Sequence, residues 1–387
     1  MRKRKVNLIW KILIAIALGT AIGFIMPTWG VRLFTTINSI FSNFLGFIIP
    51  LLILGLVAPG IAELGKTSGK MLGISTGIAY GSTVVTGFLT LIVCWWLYSF
   101  LLVGGSDFGS LNLGQGSAFA PYFTIDMPAL FGVTSALILA FVLGLGAAYS
   151  DSKYIKYTLV EFRAIIMKII TAIIIPFLPI YIFGVFLKMV ADGQIMIVST
   201  LFLKVIIIIF VLHILLIVLQ YSIAGWIAKR NPFKMLRTML PAYVTALGTQ
   251  SSAATIPVTL ENTLKNGVEE DVADFVIPLC ATIHLSASML KIVACSMAII
   301  LMTGGEISWG LMTTFIFSLS VTMVAAPGVP GGAIMAALGL LSSVLGFDEG
   351  MSGIMIAIYI TMDGFGTAGN IMGDGAIAIV VDKLKKM

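Results

Sequence analysis

Two carboxylates and a carboxamide recur along YITMDGFGTAGNIMGDGAIAIVV near the C-terminus: Asp363, Asn370 and Asp374. Their spacing of i, i+7 and i+11 puts all three on one face of a helix. An ionised Asp at the centre of a bilayer costs about 2.5–3.5 kcal/mol on insertion scales, so such a residue either pairs or lines a path for a solute or ion. A carboxylate recruits an ammonium or a metal cation, and a carboxamide both donates to an anion and offers an oxygen to a cation. Two aspartates buried neutral in interhelical hydrogen bonds are the plainer alternative.

A second stretch, ATIHLSASMLK at 281–291, holds His284 and Lys291 in surroundings that are otherwise apolar. Read as one helix, it sets His284, Ser288 and Lys291 on a common face. Lys291 then lies about 18 Å from the outer end of its helix. A lysine stem reaches only about 6 Å, so the ammonium needs an internal anion, for which Asp363 or Asp374 is the natural candidate. That makes Lys291 a built-in cation or a proton-binding site; His284, with an ordinary pKa of about 6.5, is a second candidate for the proton. The blander readings are a lysine facing lipid headgroups and a histidine donating to a hairpin carbonyl. His213, in FVLHILLIV, reads as a structural hydrogen bond between helices.

These residues sit in a chain of 387 residues that is 59% hydrophobic and 10% charged, with a mean hydropathy of +1.09. Soluble domains use roughly 45–50% apolar residues, so this is an all-α polytopic membrane protein. Cys94, Cys280 and Cys295 lack metal-site spacing and read as small core hydrophobes. The net charge of +6 is a topology signal rather than a nucleic-acid footprint. Spans are expected at 8–28, 38–62, 71–104, 127–149, 163–189, 196–228, 272–304 and 351–381. Each can cross roughly 30 Å of hydrocarbon. MRKRKVN, Lys66 and Lys70, Lys153 and Lys156, Lys229 to Arg237 and the last lysines make every second connection basic, so both termini are expected in the cytoplasm.

Residues 233–262 and 307–346 break the alternation. Each is interrupted by small residues and proline, TQSSAATIP and AAPGVPGG, and is expected to be a re-entrant hairpin. Irregular backbone at membrane depth is tolerated only where protein or a watery cavity satisfies it. Broken segments in corresponding halves are the best pointer to a transporter's binding site.

With SSAATIPVT at one tip, GVPGGAIM at the other and D-x₆-N-x₃-D on the last helix, the chain resembles the dicarboxylate/amino acid:cation symporter family, the glutamate-transporter-like proteins. The resemblance spans the chain and is strongest from Gly248 to Asp382. It implies eight transmembrane helices plus two re-entrant hairpins in inverted repeats, and a homotrimer working as an elevator. It also implies the divisions 1–70 (scaffold helices 1 and 2), 71–126 (helix 3 and an extracellular loop), 127–195 (scaffold helices 4 and 5), 196–232 (helix 6) and 233–387 (transport core). Carried over residue by residue, Ser251 and Ser252 belong to the first tip and Val329 and Pro330 to the extracellular gate. Asp363 would hold a substrate's amino group, Asn370 its α-carboxylate, and Asp374 with Asn370 a sodium ion.

Two departures bear on substrate and ion. The arginine that pairs with an acidic side chain in relatives moving glutamate or aspartate is here Gly366, so a neutral amino acid is expected, with Thr367 and Ser288 as hydroxyl partners. Where the family carries Asn-Met-Asp-Gly-Thr, this chain reads His284-Leu285-Ser286-Ala287-Ser288, while Thr282, Asn370 and Asp374 remain. Losing a carboxylate and an amide oxygen lowers both charge and coordination number for a hard cation. The expectation is a secondary transporter in a prokaryotic plasma membrane, not an enzyme. It needs no cofactor beyond a coupling proton or a reduced number of sodium ions. A sodium-coupled dicarboxylate or acidic amino acid symporter is the alternative within the class, and a channel or receptor the alternative outside it. An intramembrane hydrolase would need aspartates on facing helices or a Ser/His pair, but Asp363 and Asp374 share one helix about 16 Å apart and no GxGD or GxSG motif surrounds them.

Overall fold

The computed structural model describes residues 8–64, 70–101, 119–150, 153–324, 326 and 330–385, and every regular element among them is helical. The N-terminal part runs α1 (Leu8–Gly23), α2 (Thr28–Leu64), α3 (Lys70–Leu101), α4 (Val133–Tyr149), α5 (Lys153–Ile169), α6 (Ile175–Ala191) and α7 (Ile195–Ala228). A five-residue π-turn, Ile170–Ile174, joins α5 to α6 without a break. It lies just before Pro176 and Pro179, where the α-helical ladder loses donors.

The hydropathy-based spans differ from the helices at their ends. The second helix starts at Thr28, directly after Pro27, and the fifth at Lys153. The apolar stretch marks only what hydrocarbon covers, while the helix continues through TWGVRLF and KYIKYTLVEF beyond it. At 37 residues, α2 is about 55 Å long, well over the hydrocarbon thickness. Conversely, α1 already stops at Gly23 and α4 starts only at Val133. Among the described residues six helical stretches are long and apolar enough to cross a membrane.

The C-terminal part is a series of interrupted helices. α8 (Pro232–Thr249) and α9 (Ser252–Lys265) pack on each other as the first hairpin, and α12 (Trp309–Met323) and α13 (Gly332–Ser343) as the second. α8 starts on Asn231, whose side chain accepts from the Lys234 amide at 3.1 Å, with Pro232 at the first helical position. It stops at Gln250, a left-handed residue at φ 54°, after which Ser251 caps α9. α13 opens on Gly331 at φ 76°, a conformation glycine adopts without steric cost. Between the hairpins, one apolar stretch is cut into α10 (Glu270–Ile283) and α11 (Ser286–Met302); after the second, another is cut into α14 (Glu349–Thr361) and α15 (Asp363–Lys385).

α15 is the centre of this half, with α3, α7, α8, α9, α10 and α11 packed around it. It is the least apolar of the six long helices and also the most enclosed, which inverts the order a soluble protein would show. Trp96, Ile138, Val142, Leu203 and Leu215 instead face outward, as hydrocarbon surroundings allow. The three cysteines are free and buried.

Close helix contacts in this fold are made at glycines. A Cβ on Gly19 of α1 would lie 2.6 Å from the backbone oxygen of Phe183 in α6, whereas one on Gly46 of α2 meets nothing within 4 Å. Gly19→Ala is therefore expected to cost about 1–3 kcal/mol, while Gly46→Ala is neutral or gains a few tenths from helix propensity. Thermal unfolding of the two variants in detergent checks the contrast, and equal midpoints would refute the α1–α6 packing.

Candidate functional site

The two interrupted helices place their breaks against the polar face of α15. His284 closes α10 in an extended conformation, Leu285 follows outside helical geometry, and α11 restarts at Ser286. The exposed amides at this restart are capped from another helix: Asn370 Oδ1 accepts from Ala287 N at 2.9 Å and Ser288 N at 3.3 Å. Because the helix breaks at 284–285, the common face expected for His284, Ser288 and Lys291 does not exist as one helical face. The break nevertheless brings both His284 and Lys291 to α15.

His284 lies 2.9 Å from Asp374 through Nδ1 and Oδ1, with both side chains fully buried. An ionised carboxylate only accepts, so Nδ1 carries a proton, leaving Nε2 to meet Ser82 Oγ at 3.1 Å. It does not reach a hairpin carbonyl. Lys291 is also fully buried, which removes the headgroup reading, and of its two candidate partners it takes Asp363, at 3.5 Å from Oδ1. Its Nζ also donates to the carbonyls of Tyr359 and Met362, each at 3.3 Å, and sits 3.5 Å from the Tyr359 ring centroid. Those carbonyls belong to the last turn and the C-cap of α14, and each also accepts a backbone amide, from Met362 and Gly366 respectively.

Lys291 and His284 both stand over glycines of α15. A Cβ on Gly366 would be 2.7 Å from Lys291 Nζ, and one on Gly373 would run into the His284 ring. Gly366 and Gly373 are seven residues apart, as are His284 and Lys291, so two turns of α15 carry two matched positions.

The second oxygen of Asp363 accepts from Gly331 N at 2.7 Å, tying α15 to the start of α13. Ser288 Oγ receives Tyr359 Oη at 3.1 Å and Asn370 Nδ2 at 3.0 Å. Beside this network lies a cavity of about 40 Å³, lined by Gln250, Ser252, Ser288, Asp363, Thr367 and Asn370 among others. Thr282 also lines it, with its hydroxyl turned to Leu279 O at 2.7 Å. Ser252 rather than Ser251 borders the cavity; Ser251 caps α9 by accepting from Ala254 N. Pro330 directly precedes Gly331, and Val329 lies outside the described residues. His213 Nε2 meets Ala287 O at 3.0 Å, an interhelical contact as the sequence suggested.

Sequence reasoning missed Gln250, Tyr359, Ser82 and Gln220, which donates to Ser286 Oγ at 3.0 Å. Gln250 could have been found, since it interrupts the serine-rich tip. The others sit in ordinary apolar runs. A sodium ion at Asp374, which the resemblance implies, does not suit these positions. One Asp374 oxygen is held by His284, the Asn370 oxygen takes two amides and the Thr282 hydroxyl faces its own helix. Of the oxygens the resemblance assigns to the ion, Asp374 Oδ2 is buried with no partner among the described residues, as are Gln220 Oε1 and Tyr221 Oη beside the same stretch of α15. A hard cation needs several convergent oxygens.

The model of the sodium:dicarboxylate symporter family matches residues 8–384. The chain belongs to that family. It is 24% identical over 394 residues to the serine/threonine transporter SstT of Acinetobacter baylyi, covering 99% of this chain and 98% of that protein. It is 31% identical over 163 residues to mouse excitatory amino acid transporter 4 and 29% identical over 161 residues to human excitatory amino acid transporter 1. Those two alignments take in 41% of this chain and only 28% and 30% of the relatives' lengths. Membership makes the protein a membrane-embedded symporter rather than an enzyme, and these likenesses support cation-coupled amino acid transport.

Within this family member the position of Lys291 depends on the missing side chain at 366. Gly366→Ala puts a methyl group against the ammonium and is expected to lose about 1–3 kcal/mol through overpacking. Lys291→Met is itself destabilising because it uncovers Asp363, but its flexible end can yield, so the double variant should lose less than the sum of the two single losses. Melting temperatures of the single and double variants test this, and an unperturbed Gly366→Ala protein would contradict the contact.

Proposed function

We propose that the protein is a cation-coupled symporter of a small, neutral, polar amino acid. The coupling ion in this reading is a proton, or sodium in reduced number. The observation that carries it is the pairing of His284 with Asp374, which puts an imidazole N–H on the carboxylate that a sodium ion would need. The substrate class follows from the small enclosed cavity and from its charges. Lys291 is the one ammonium beside Gly366 among the described residues, and its hydrogens go to Asp363 and two carbonyls, which leaves nothing to pair with an acidic side chain. An unpaired buried carboxylate would cost several kcal/mol. Hydroxyls at Ser252, Ser288 and Thr367 suit a substrate of the serine or threonine type, in line with the similarity to a bacterial serine/threonine transporter.

The rest of the reading is architectural. The first and second hairpins with α10, α11, α14 and α15 form the transport core of residues 233–387, with 196–232 as helix 6 attached to it. Residues 1–70 and 127–195 are scaffold, and 71–126 supply helix 3 and an outer loop. Three copies assemble in a prokaryotic plasma membrane with both termini in the cytoplasm, and the core moves as an elevator. Ser251 and Val329 with Pro330 are the tips of the two gates, and Thr282 shapes the coupling wall.

Purified protein in liposomes, given labelled serine, threonine, alanine, glutamate or succinate, tests the proposal under proton and sodium gradients applied separately. Serine or threonine should accumulate above the external concentration, driven by the proton gradient or by sodium with no more than first-order dependence. Glutamate and succinate should neither accumulate nor compete. A steep, multi-ion sodium dependence would sink the ion assignment, and equilibration without accumulation would indicate a channel.

A further inference from the structure

A carrier that accumulates its solute has to bring its binding site back across the membrane empty. Asp363 is the difficulty in that step, because an ionised carboxylate without a partner is costly in hydrocarbon. In this fold both of its oxygens have partners supplied by the chain itself. Oδ1 faces Lys291 Nζ at 3.5 Å and Oδ2 accepts from Gly331 N at 2.7 Å. The remaining ammonium hydrogens reach Tyr359 O and Met362 O. Every group in this set lies on α11, α14, α15 or the start of α13, and none lies on α1, α2, α4, α5 or α6. The pair can therefore travel with its own neutralising charge, and no ion from solution is required.

We infer that Lys291 is the counter-cation of the return step: in the empty carrier it neutralises Asp363, whose other oxygen holds the Gly331 amide at the start of α13. The inference rests on the transport reading above but not on the identity of the substrate. Gly331, at φ 76°, is where the chain turns its amide toward Asp363, so the contact to α13 and charge neutrality share one carboxylate. A bound amino acid brings its own ammonium to Asp363 and relieves the empty carrier's dependence on Lys291.

Charge deletion separates this role from a merely structural one. Lys291→Met leaves the empty site with an unpaired anion, Asp363→Asn leaves it with an unpaired cation, and the double variant is neutral again. Reorientation of the substrate-free full-length carrier in liposomes is read from a dye pair on cysteines placed at the exposed positions Tyr154 and Phe233; the native cysteines are buried. Each single variant should reorient at least about tenfold more slowly than the parent, and the double variant should return to within about threefold of it. With labelled serine, the ratio of net uptake to serine–serine exchange should fall about tenfold in Lys291→Met, because exchange never visits the empty return. A double variant slower than both singles, or a Lys291→Met carrier that reorients at the parental rate, overturns the inference. Should Lys291→Met fail to fold, Asp363→Asn against the double variant makes the same comparison. If the parent reorients yet takes up no amino acid, the substrate proposal fails while the dye measurement still decides the role of Lys291.

Discussion

The fold is organised by the need to pair charge where water is absent. α15 carries two carboxylates at membrane depth, and each is met by a nitrogen group built into the chain: Asp363 by the Lys291 ammonium and Asp374 by the His284 imidazole. Truncating one member of a buried pair leaves the other uncompensated and typically costs 3–5 kcal/mol, roughly, so the four residues constrain one another. The helix breaks, the glycines and the position of the second hairpin are all consistent with that constraint. α10 must end at His284 for the ring to turn toward Asp374. α14 must end at Thr361 for its last carbonyls to reach the ammonium.

Glycine makes the pairing geometrically possible. Any side chain at 366 or 373 would occupy the volume of the Lys291 ammonium or the His284 ring, so the two groups reach α15 only because those positions are bare. A mobile ion demands a cage of convergent oxygens, but a tethered cation needs one carboxylate and a vacant strip of helix. Here two of the oxygens that could have joined a cage are already engaged, Asp374 Oδ1 by His284 and Asn370 Oδ1 by backbone amides. Asn370 is the clearest case, with its oxygen capping α11 and its nitrogen bound to Ser288. Its first role in the structure is to hold the break in shape.

Much of this was legible in the sequence because it depends on local pattern. The hairpins announced themselves through TQSSAATIP and AAPGVPGG, and the face shared by Asp363, Asn370 and Asp374 followed from spacing within one uninterrupted helix. The break at His284-Leu285 did not, since ATIHLSASMLK contains neither glycine nor proline and reads as continuous helix. What interrupts it is tertiary: the Asn370 cap on the restarted amides and the pull of Asp374 on the ring. The choice between Asp363 and Asp374 for Lys291 was open for the same reason, because a broken helix no longer obeys its own periodicity. Helix ends were misplaced wherever polar residues prolonged a helix past the apolar stretch, as at Thr28 and Lys153.

A tethered cation also changes what a carrier can exploit. A dissociable ion contributes the free energy of its gradient only because it enters on one side and leaves on the other, and Lys291 does neither. Its charge lowers the barrier of reorientation equally in both directions, and so it speeds the cycle without driving it. The driving ion must therefore act at a group whose occupancy differs between the two faces of the membrane. In the proposed cycle Asp363 and Lys291 supply neutrality. The task of coupling falls to whatever reaches the neighbourhood of Asp374, where one oxygen holds His284 and the other is buried without a partner among the described residues. Separating the two jobs along two turns of one helix lets the empty carrier return without carrying the coupling ion back with it.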